Sequence, residues 1–325
     1  MKKYKIAIIG ATGLVGERLI NLLTERNFPI EKLYLYASKR SAGKSILVGK
    51  KQYKIRKLTK NFAKKVDFTF FMTSKELSKK YLPYCKAGYV IDNSSEFRLN
   101  SNVPLVVPEI NFYHIKDSKI IANPNCTTAI CSLPLKVIND LYGIDSICAT
   151  TYQSVSGCGY IGINALKNIN ISNEIFGDDI CSTCISKIGK YLQNGYTDEE
   201  EKFIYEIRKI FDNSKIKISS TCVRVPINYC HAIALQVTTI NKFDLKELEK
   251  AFKKDKNIEF YPSKGNSLPP TSTNAHNSNK ILVGRLRSDF SKENTILLYV
   301  VGDNLMRGAA YNAYKIMERI VNDSM

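Results

Sequence analysis

The hexapeptide Asn123-Pro124-Asn125-Cys126-Thr127-Thr128 places a thiol where it can become a nucleophile. An apolar segment, Lys119 to Ala122, runs into the Asn-Pro turn signal. A helix is expected from Thr127 to about Leu141. A cysteine at a helix start sits beside free backbone N–H groups and the positive end of the dipole. Both favour thiolate, the reactive form, and the same N–H groups can donate to the oxyanion made when sulfur attacks a carbonyl. A buried structural cysteine at a strand–helix junction has the same local signature. The other reactive side chains must decide between the two.

A general acid/base is offered by His231, one of three histidines with His114 and His276, and the one that opens a strongly patterned strand, His231 to Val237. A structural histidine at a strand start fits that pattern too. Arg224 lies in the preceding strand, Ser220 to Val225. The short connection Pro226-Ile227-Asn228-Tyr229 predicts a hairpin that sets Arg224 and His231 near each other at one end of a sheet. Gln153, in the strand that starts at Ile147 and ends in a turn at Gly157, adds a neutral hydrogen-bonding group.

Arg98 closes the polar loop Asn93 to Arg98, where either an anionic substrate group or a surface carboxylate could be its partner. Thr197-Asp198-Glu199-Glu200 is a capping box. On the helix that follows, Phe203, Ile207, Ile210 and Phe211 share a face, and Glu199, Lys202 and Glu206 fall at its edge. From there they can reach a cleft or snorkel into solvent.

These groups need a scaffold. Lys5 to Ile9 reads as a buried strand feeding Gly10-Ala11-Thr12-Gly13-Leu14-Val15-Gly16, a glycine loop that opens a helix with Val15, Leu19, Leu22 and Leu23 in phase. Such a loop lets backbone approach a dinucleotide pyrophosphate at a helix N-terminus. The next strand, Leu33 to Tyr36, runs into Ala37 to Gly43, with no Asp or Glu for a ribose hydroxyl. It carries Ser38, Lys39, Arg40 and Ser41 instead, which suit a 2′-phosphate, so NADP is the expected cofactor. Strands at Val66 to Phe71 and Tyr89 to Asp92 flank a helix from Lys75 to about Lys86. This β-α-β alternation predicts an α/β, doubly wound (Rossmann-type) parallel sheet at the N-terminus. A further amphipathic helix is expected over Asp244 to Lys254, a long loop over Gly265 to Asn279, a buried strand over Ile296 to Val301 and a closing helix through Arg319.

At 325 residues, with 44% hydrophobic and 24% charged side chains, the chain is globular and long enough for two domains. Its net charge of +18 raises the possibility of nucleic-acid binding. The lysine pairs (Lys50-Lys51, Lys64-Lys65, Lys79-Lys80, Lys253-Lys254) are scattered without interleaved aromatics, so a solvated basic surface is expected and no nucleic-acid partner. No stretch reaches membrane-spanning length, and the opening segment lacks a signal-peptide core. A cytoplasmic protein with reduced thiols is expected from nine cysteines. Cys181-Ser182-Thr183-Cys184 is a lone pair without further zinc ligands at suitable spacing, so no metal is expected.

In this order, the pieces resemble the aspartate-semialdehyde dehydrogenase family over nearly the whole chain. The resemblance rests on Gly10 to Gly16, Ala37 to Gly43, Val90 to Ser95, Val103 to Glu109, Asn123 to Cys126, Gln153 to Gly159, Thr221 to Pro226, Val283 to Arg285 and Asp303 to Leu305. It implies an NADP domain over 1–125 completed by a C-terminal helix in 304–325, and a central α+β catalytic and dimerisation domain over 126–303. It also implies a homodimer or homotetramer acting on a small acyl phosphate: NADPH-dependent reduction of L-aspartyl-4-phosphate to L-aspartate 4-semialdehyde through a cysteine thioester. That step belongs to lysine (by way of diaminopimelate), threonine and methionine biosynthesis.

By the resemblance Cys126 is the nucleophile, His231 the acid/base, and Gln153 the group that positions the acyl carbon. Arg224 and Glu199 hold the α-carboxylate and α-amino group, and Arg98 and Lys202 hold the phosphate. Gly10, Ala11, Thr12, Gly13, Leu14, Val15, Ser38, Arg40, Ser41, Ser156, Gly157 and Asn304 contact the cofactor. The chain departs from the family pattern at Cys158, where alanine is usual, at Thr127 and at Thr73-Ser74-Lys75, and Pro134 predicts a kink in the active-site helix. Reductases of N-acetylglutamyl phosphate or malonyl-CoA are the rival chemistry. An acylated amine gives Glu199 nothing to bind, and Asn125-Cys126 fits the aspartyl family better.

Overall fold

The computed structural model describes residues 2–62 and 65–323. Lys64 of the Lys64-Lys65 pair and residues 324–325 of the expected C-terminal segment lie outside the described residues. The chain divides into two units, Met1–Pro124 with Ala309–Met325, and Asn125–Gly308. Asn125 and residues 304–308 thus fall in the second unit rather than the first.

The first unit begins with β1 (Tyr4–Ile9), α1 (Leu14–Glu25) and β2 (Ile30–Ala37). It continues through β3 (Ser45–Val48), β4 (Lys51–Lys57), β5 (Phe68–Phe71), α2 (Lys75–Tyr81), β6 (Tyr89–Asp92), α3 (Pro108–Asn111) and β7 (Ile120–Ala122). The strand order is β3-β4-β2-β1-β5-β6-β7. Every pairing is parallel except β3 with β4. The doubly wound sheet expected from the β-α-β alternation is present, with an added edge hairpin at Ser45–Lys57. β3 offers only the three apolar residues Ile46-Leu47-Val48, and in β4 only Tyr53 and Ile55 break a polar, mostly basic run, signals too short to mark strands from the sequence. The expected helix from Lys75 ends at Tyr81 and passes into a short 3-10 turn, Leu82–Tyr84, with Pro83 inside it.

Ile6, Ile8 and Ile9 of β1 and Leu19, Leu22 and Leu23 of α1 are buried, so the apolar stripe of the helix is laid on the sheet. The last helix, α10 (Tyr311–Asp323), belongs to this unit. Its Asn312 Nδ2 donates to the Asn123 side-chain oxygen at 2.7 Å and to the Val106 carbonyl at 2.9 Å.

The second unit opens with α4 (Cys126–Tyr142), one helix that continues through Pro134. Then come β8 (Ile144–Gln153), α5 (Tyr160–Ala165), α6 (Ile169–Phe176), α7 (Asp198–Ile210), β9 (Lys217–Arg224), β10 (His231–Thr239) and α8 (Leu245–Lys254). It ends with β11 (Ile258–Tyr261), α9 (Ser272–Ala275), β12 (Ile281–Ser288) and β13 (Thr295–Gly302). These strands form one mixed sheet, β11-β12-β13-β10-β8-β9. Buried Ile130, Leu133, Ile138, Leu248 and Phe252 of α4 and α8 join buried Ile233, Leu235, Val237, Ile296 and Val300 of the sheet in its core.

One expectation fails here. β9 and β10 are consecutive but are not a hairpin, because β8 lies between them, parallel to β9 and antiparallel to β10. The failure has a useful consequence. In register, Gly302 faces His231, His231 faces Gln153, and Gln153 faces Arg224. One row across four strand ends therefore carries all three of the side chains singled out from this part of the sequence.

Candidate active site

The α4 N-terminus supplies the thiol. Asn125 is the N-cap, its side-chain oxygen accepting the Thr127 N–H at 2.9 Å and the Thr127 hydroxyl at 2.6 Å. Cys126 is thus the first helical residue, one position earlier than expected, and partly exposed, beside the positive helix end. Gly308 faces it. A Cβ on Gly308 would lie 2.9 Å from the Cys126 Cβ, so only glycine leaves the cysteine this much room. Other thiols contrast with it. Burial pushes Cys222 up to about 12 and raises Cys131 as well, so both are held as neutral, inert sulfurs.

The cap residue is gripped from α7. Thr197 and Glu200 form the capping box expected of them, which starts that helix. Within that same first turn, the Asn125 amide donates to Glu199 Oε1 at 2.9 Å, and Gln153 Nε2 approaches the same oxygen at 3.5 Å. Two turns on, the fully buried Glu206 accepts the backbone N–H of Asn125 at 2.6 Å. The sequence places Glu206 at the edge of a helix face, and only its packing reveals that it braces the residue before Cys126. Lys202 pairs with Asp198 at 3.0 Å and Glu199 at 3.4 Å. Burial pulls its ammonium down, but the two carboxylates outweigh that and raise it.

His231 is fully buried. Its Nδ1 accepts the Ser154 N–H at 3.0 Å, so the neutral ring carries its proton on Nε2, which has no hydrogen-bond partner among the described residues. Burial first, and the Arg224 guanidinium second, push His231 down to about 3. At neutral pH the ring is an uncharged N–H donor without an acceptor. Behind it the hydroxyls of Ser154 and Ser156 lie 3.0 Å apart, and both reach the Asn304 side chain at 3.0–3.3 Å. Asn304 Oδ1 also accepts the Cys230 N–H at 2.9 Å. The Ser156 and Asn304 side chains are therefore engaged with each other.

Arg224 is 4% exposed, yet no carboxylate pairs with it among the described residues. Nη1 donates to the Ser154 carbonyl at 2.6 Å, Nη2 lies 3.7 Å from Cys158 Sγ, and Nε has no partner. A Cβ on Gly157 would come within 3.0 Å of Nη1, so the glycine there leaves the guanidinium face open. A buried cation with spare donors calls for an anion.

The first unit holds the remaining candidates. Gly10 follows β1 at the point where strand order reverses, with φ +87°, and a Cβ there would sit 2.1 Å from the Met72 carbonyl oxygen. Gly13 caps α1, and no side chain fills that helix end, which leaves the N–H groups of Leu14 and Val15 to an anion. Ala11 is buried beneath the loop. Ser38 starts a turn whose carbonyl accepts the Ser41 N–H at 3.1 Å. The Thr12 hydroxyl reaches Ser41 Oγ at 3.5 Å, which sets that turn beside the glycine loop, with Arg40 exposed on it. Arg98 is 7% exposed and donates to the Asn93 carbonyl at 2.7 Å.

A dinucleotide-type sheet joined to a mixed sheet with a cysteine at a helix start defines a class. Residues 5–118 match the NAD binding domain of semialdehyde dehydrogenases, and residues 135–307 match their dimerisation domain. The chain belongs to the semialdehyde dehydrogenase family. Within it, the chain is 39% identical to aspartate-semialdehyde dehydrogenase 2 of Vibrio cholerae and 38% identical to the aspartate-semialdehyde dehydrogenase of Aquifex aeolicus, each over 99% of both chains. The crystal structure of the Vibrio cholerae enzyme II superposes with a TM-score of 0.93 over 100% of both chains, as does its complex with ASA. This is a member of the aspartate-semialdehyde dehydrogenase family.

Proposed function

We propose that the protein reduces L-aspartyl-4-phosphate to L-aspartate 4-semialdehyde and phosphate, with NADPH as reductant, in amino-acid biosynthesis. The observation that carries this reading is the row Arg224–Gln153–His231 at the sheet end, together with Glu199 of α7 bonded to the N-cap of the Cys126 helix. An amino acid with a reactive side-chain carbonyl needs a cation, an anion, a nucleophile and a proton donor together. An acylated amine would leave Glu199 without a cation to bind.

The Cys126 thiolate attacks the acyl carbon; a C–S bond forms, the C–O bond to phosphate breaks, and a thioester remains. Gln153 positions the acyl group. The nicotinamide, when bound, supplies hydride to the thioester carbon. As the acid/base group, the neutral His231 donates its Nε2–H as a hydrogen bond to the oxygen that becomes negative, and the tetrahedral adduct then collapses to aldehyde and thiolate. The departing phosphate takes up the one proton consumed. A histidine held neutral by burial suits a donor that must not compete with Arg224 for the substrate's negative charge.

Arg224 holds the α-carboxylate and Glu199 the α-ammonium, which displaces Lys202 from Glu199. Arg98 and Lys202 are assigned to the phosphoryl group. For the cofactor, Gly10 to Val15 receive the pyrophosphate, and Ser38, Arg40 and Ser41 the 2′-phosphate. Ser156, Gly157 and Asn304 serve the nicotinamide end, Asn304 through its backbone, since its side chain is engaged behind His231. The assembly is a homodimer formed through the dimerisation domain, with pairing into a homotetramer as the further possibility for size measurement. No helix among the described residues is long and apolar enough to cross a membrane, and we assign the enzyme to the cytoplasm.

The test is phosphate-dependent reduction of NADP by aspartate semialdehyde, for wild type and Cys126→Ser. Turnover by the wild type with a loss of at least ~10³-fold in the variant is expected. Activity with N-acetylglutamate semialdehyde alone would overturn the substrate and keep the thioester.

A further inference from the structure

We propose that Cys230, His276 and Asp303 form a binding site for one zinc-class divalent cation, through which such ions regulate the enzyme. Among the described residues they are the one trio of Cys, His and carboxylate donors whose ligand atoms all lie within 4.8 Å of one another. His276 Nδ1 stands 3.3 Å from Asp303 Oδ2, yet Nδ1 is buried and makes no hydrogen bond. A ring nitrogen and a carboxylate oxygen that converge at 3.3 Å without hydrogen-bond geometry match one edge of a tetrahedral zinc site, about 3.3 Å for metal–ligand distances near 2 Å.

The donors are held in place before any ion arrives. The imidazole stacks on Tyr229, with centroids 4.6 Å apart and planes 17° from parallel. The Asp303 carboxylate is fixed by the N–H groups of Leu305, Met306 and Asn277, at 2.8–3.0 Å. Cys230 (φ +71°), itself one of the trio, and Asn277 (φ +61°), next to His276, hold left-handed backbone that non-glycine residues adopt at a cost. The His276 side chain is one-third exposed, which offers an entry path and a fourth position for water. A sulfur, a nitrogen and one oxygen select zinc or cobalt over magnesium or calcium.

Regulation follows from position. Cys230 precedes His231, and its N–H is held by Asn304 in the network behind that ring. Ligation of the sulfur therefore acts on the segment that aims the Nε2 proton.

The experiment titrates cobalt(II) into the full chain carrying Cys126→Ser, which removes the reactive thiol as a competing ligand. One ion per chain is expected, with a sulfur-to-cobalt charge-transfer band and the intense visible bands of four-coordinate cobalt. Adding Cys230→Ser should abolish the charge-transfer band. Adding His276→Gln, at a partly exposed and milder position, should weaken binding by at least about tenfold, the smallest change that loss of even a supporting group produces. Absence of the band at saturating cobalt overturns the site. So does a band that survives both substitutions, or one lost only with Cys181→Ser and Cys184→Ser. In the otherwise wild-type enzyme, zinc inhibition should be reversed by chelator and be about tenfold weaker in His276→Gln. Equal sensitivity of the two would place inhibition at Cys126 and overturn the regulatory role.

Discussion

Two strand-to-helix turns hold two key groups of candidate site residues, and they are built differently. The turn from β1 into α1 is a bare helix end: Gly13 caps it, no side chain occupies it, and Gly10 lets backbone approach. The turn into α4 is crowded. Asn125 caps it, Glu199 and Glu206 grip Asn125, and Gly308 closes over the cysteine. The first arrangement leaves a helix dipole free for a ligand's phosphates. The second fixes the residue before one sulfur atom, while Gly308, with no side chain, keeps space clear beside it. A general anion site needs only backbone, whereas a nucleophile that must meet one carbon needs side chains from distant segments.

The comparison can be broken at its sharpest point with Arg224→Gln. A charge-assisted bond to the substrate carboxylate is worth about 1.5–3 kcal/mol, so kcat/KM for the semialdehyde should fall by roughly 10–100-fold, while NADP affinity stays unchanged. A parallel loss of cofactor binding would show that the two turns are not independent.

Gly10→Ala tests the other turn. Positive φ and the clash with the Met72 carbonyl should cost about 1–3 kcal/mol of stability and raise KM for NADP, read by denaturant unfolding and kinetics. An alanine tolerated without loss would mean that the loop is not held as closely as its geometry states.

A pH series sharpens the role of burial. His231 in the folded chain lies near 3, below its ordinary value of about 6.5. The unfolded chain therefore binds the proton first, and this contribution to stability is complete above pH ~6.5 and lost as pH falls from there toward 3. The wild type should lose up to about 1.4 kcal/mol per pH unit more than His231→Gln across that window. Identical slopes would refute a neutral, buried imidazole. The smallest effect is reserved for Thr197→Ala, which removes the α7 cap and should cost about 1 kcal/mol of stability, with kcat nearly unchanged.

Much of this was legible in the order of residues, for local reasons. Apolar runs and glycines announced the β-α-β alternation, Asn125-Cys126 announced a helix start, and Thr197 to Glu200 announced a cap. Each depends on neighbours within about four positions, the range over which backbone hydrogen bonds and side-chain caps act. The edge strands β3 and β4 gave too little signal, because three apolar residues in one and a single Tyr53/Ile55 alternation in the other are shorter than the window over which a period can be read.

Tertiary structure decided the rest. Nothing in the connection from Val225 to Cys230 announces that β8 lies between β9 and β10, because strand neighbours are chosen by long-range pairing rather than by the length of a loop. That insertion sets Arg224, Gln153 and His231 in one row. Burial likewise made His231 neutral, turned Glu206 into a brace and left Arg224 without a counter-charge among the described residues. Residue types and their local order determined which groups could react. Packing determined which of them meet and in what charge state, because desolvation and contact are properties of surroundings contributed by distant parts of the chain.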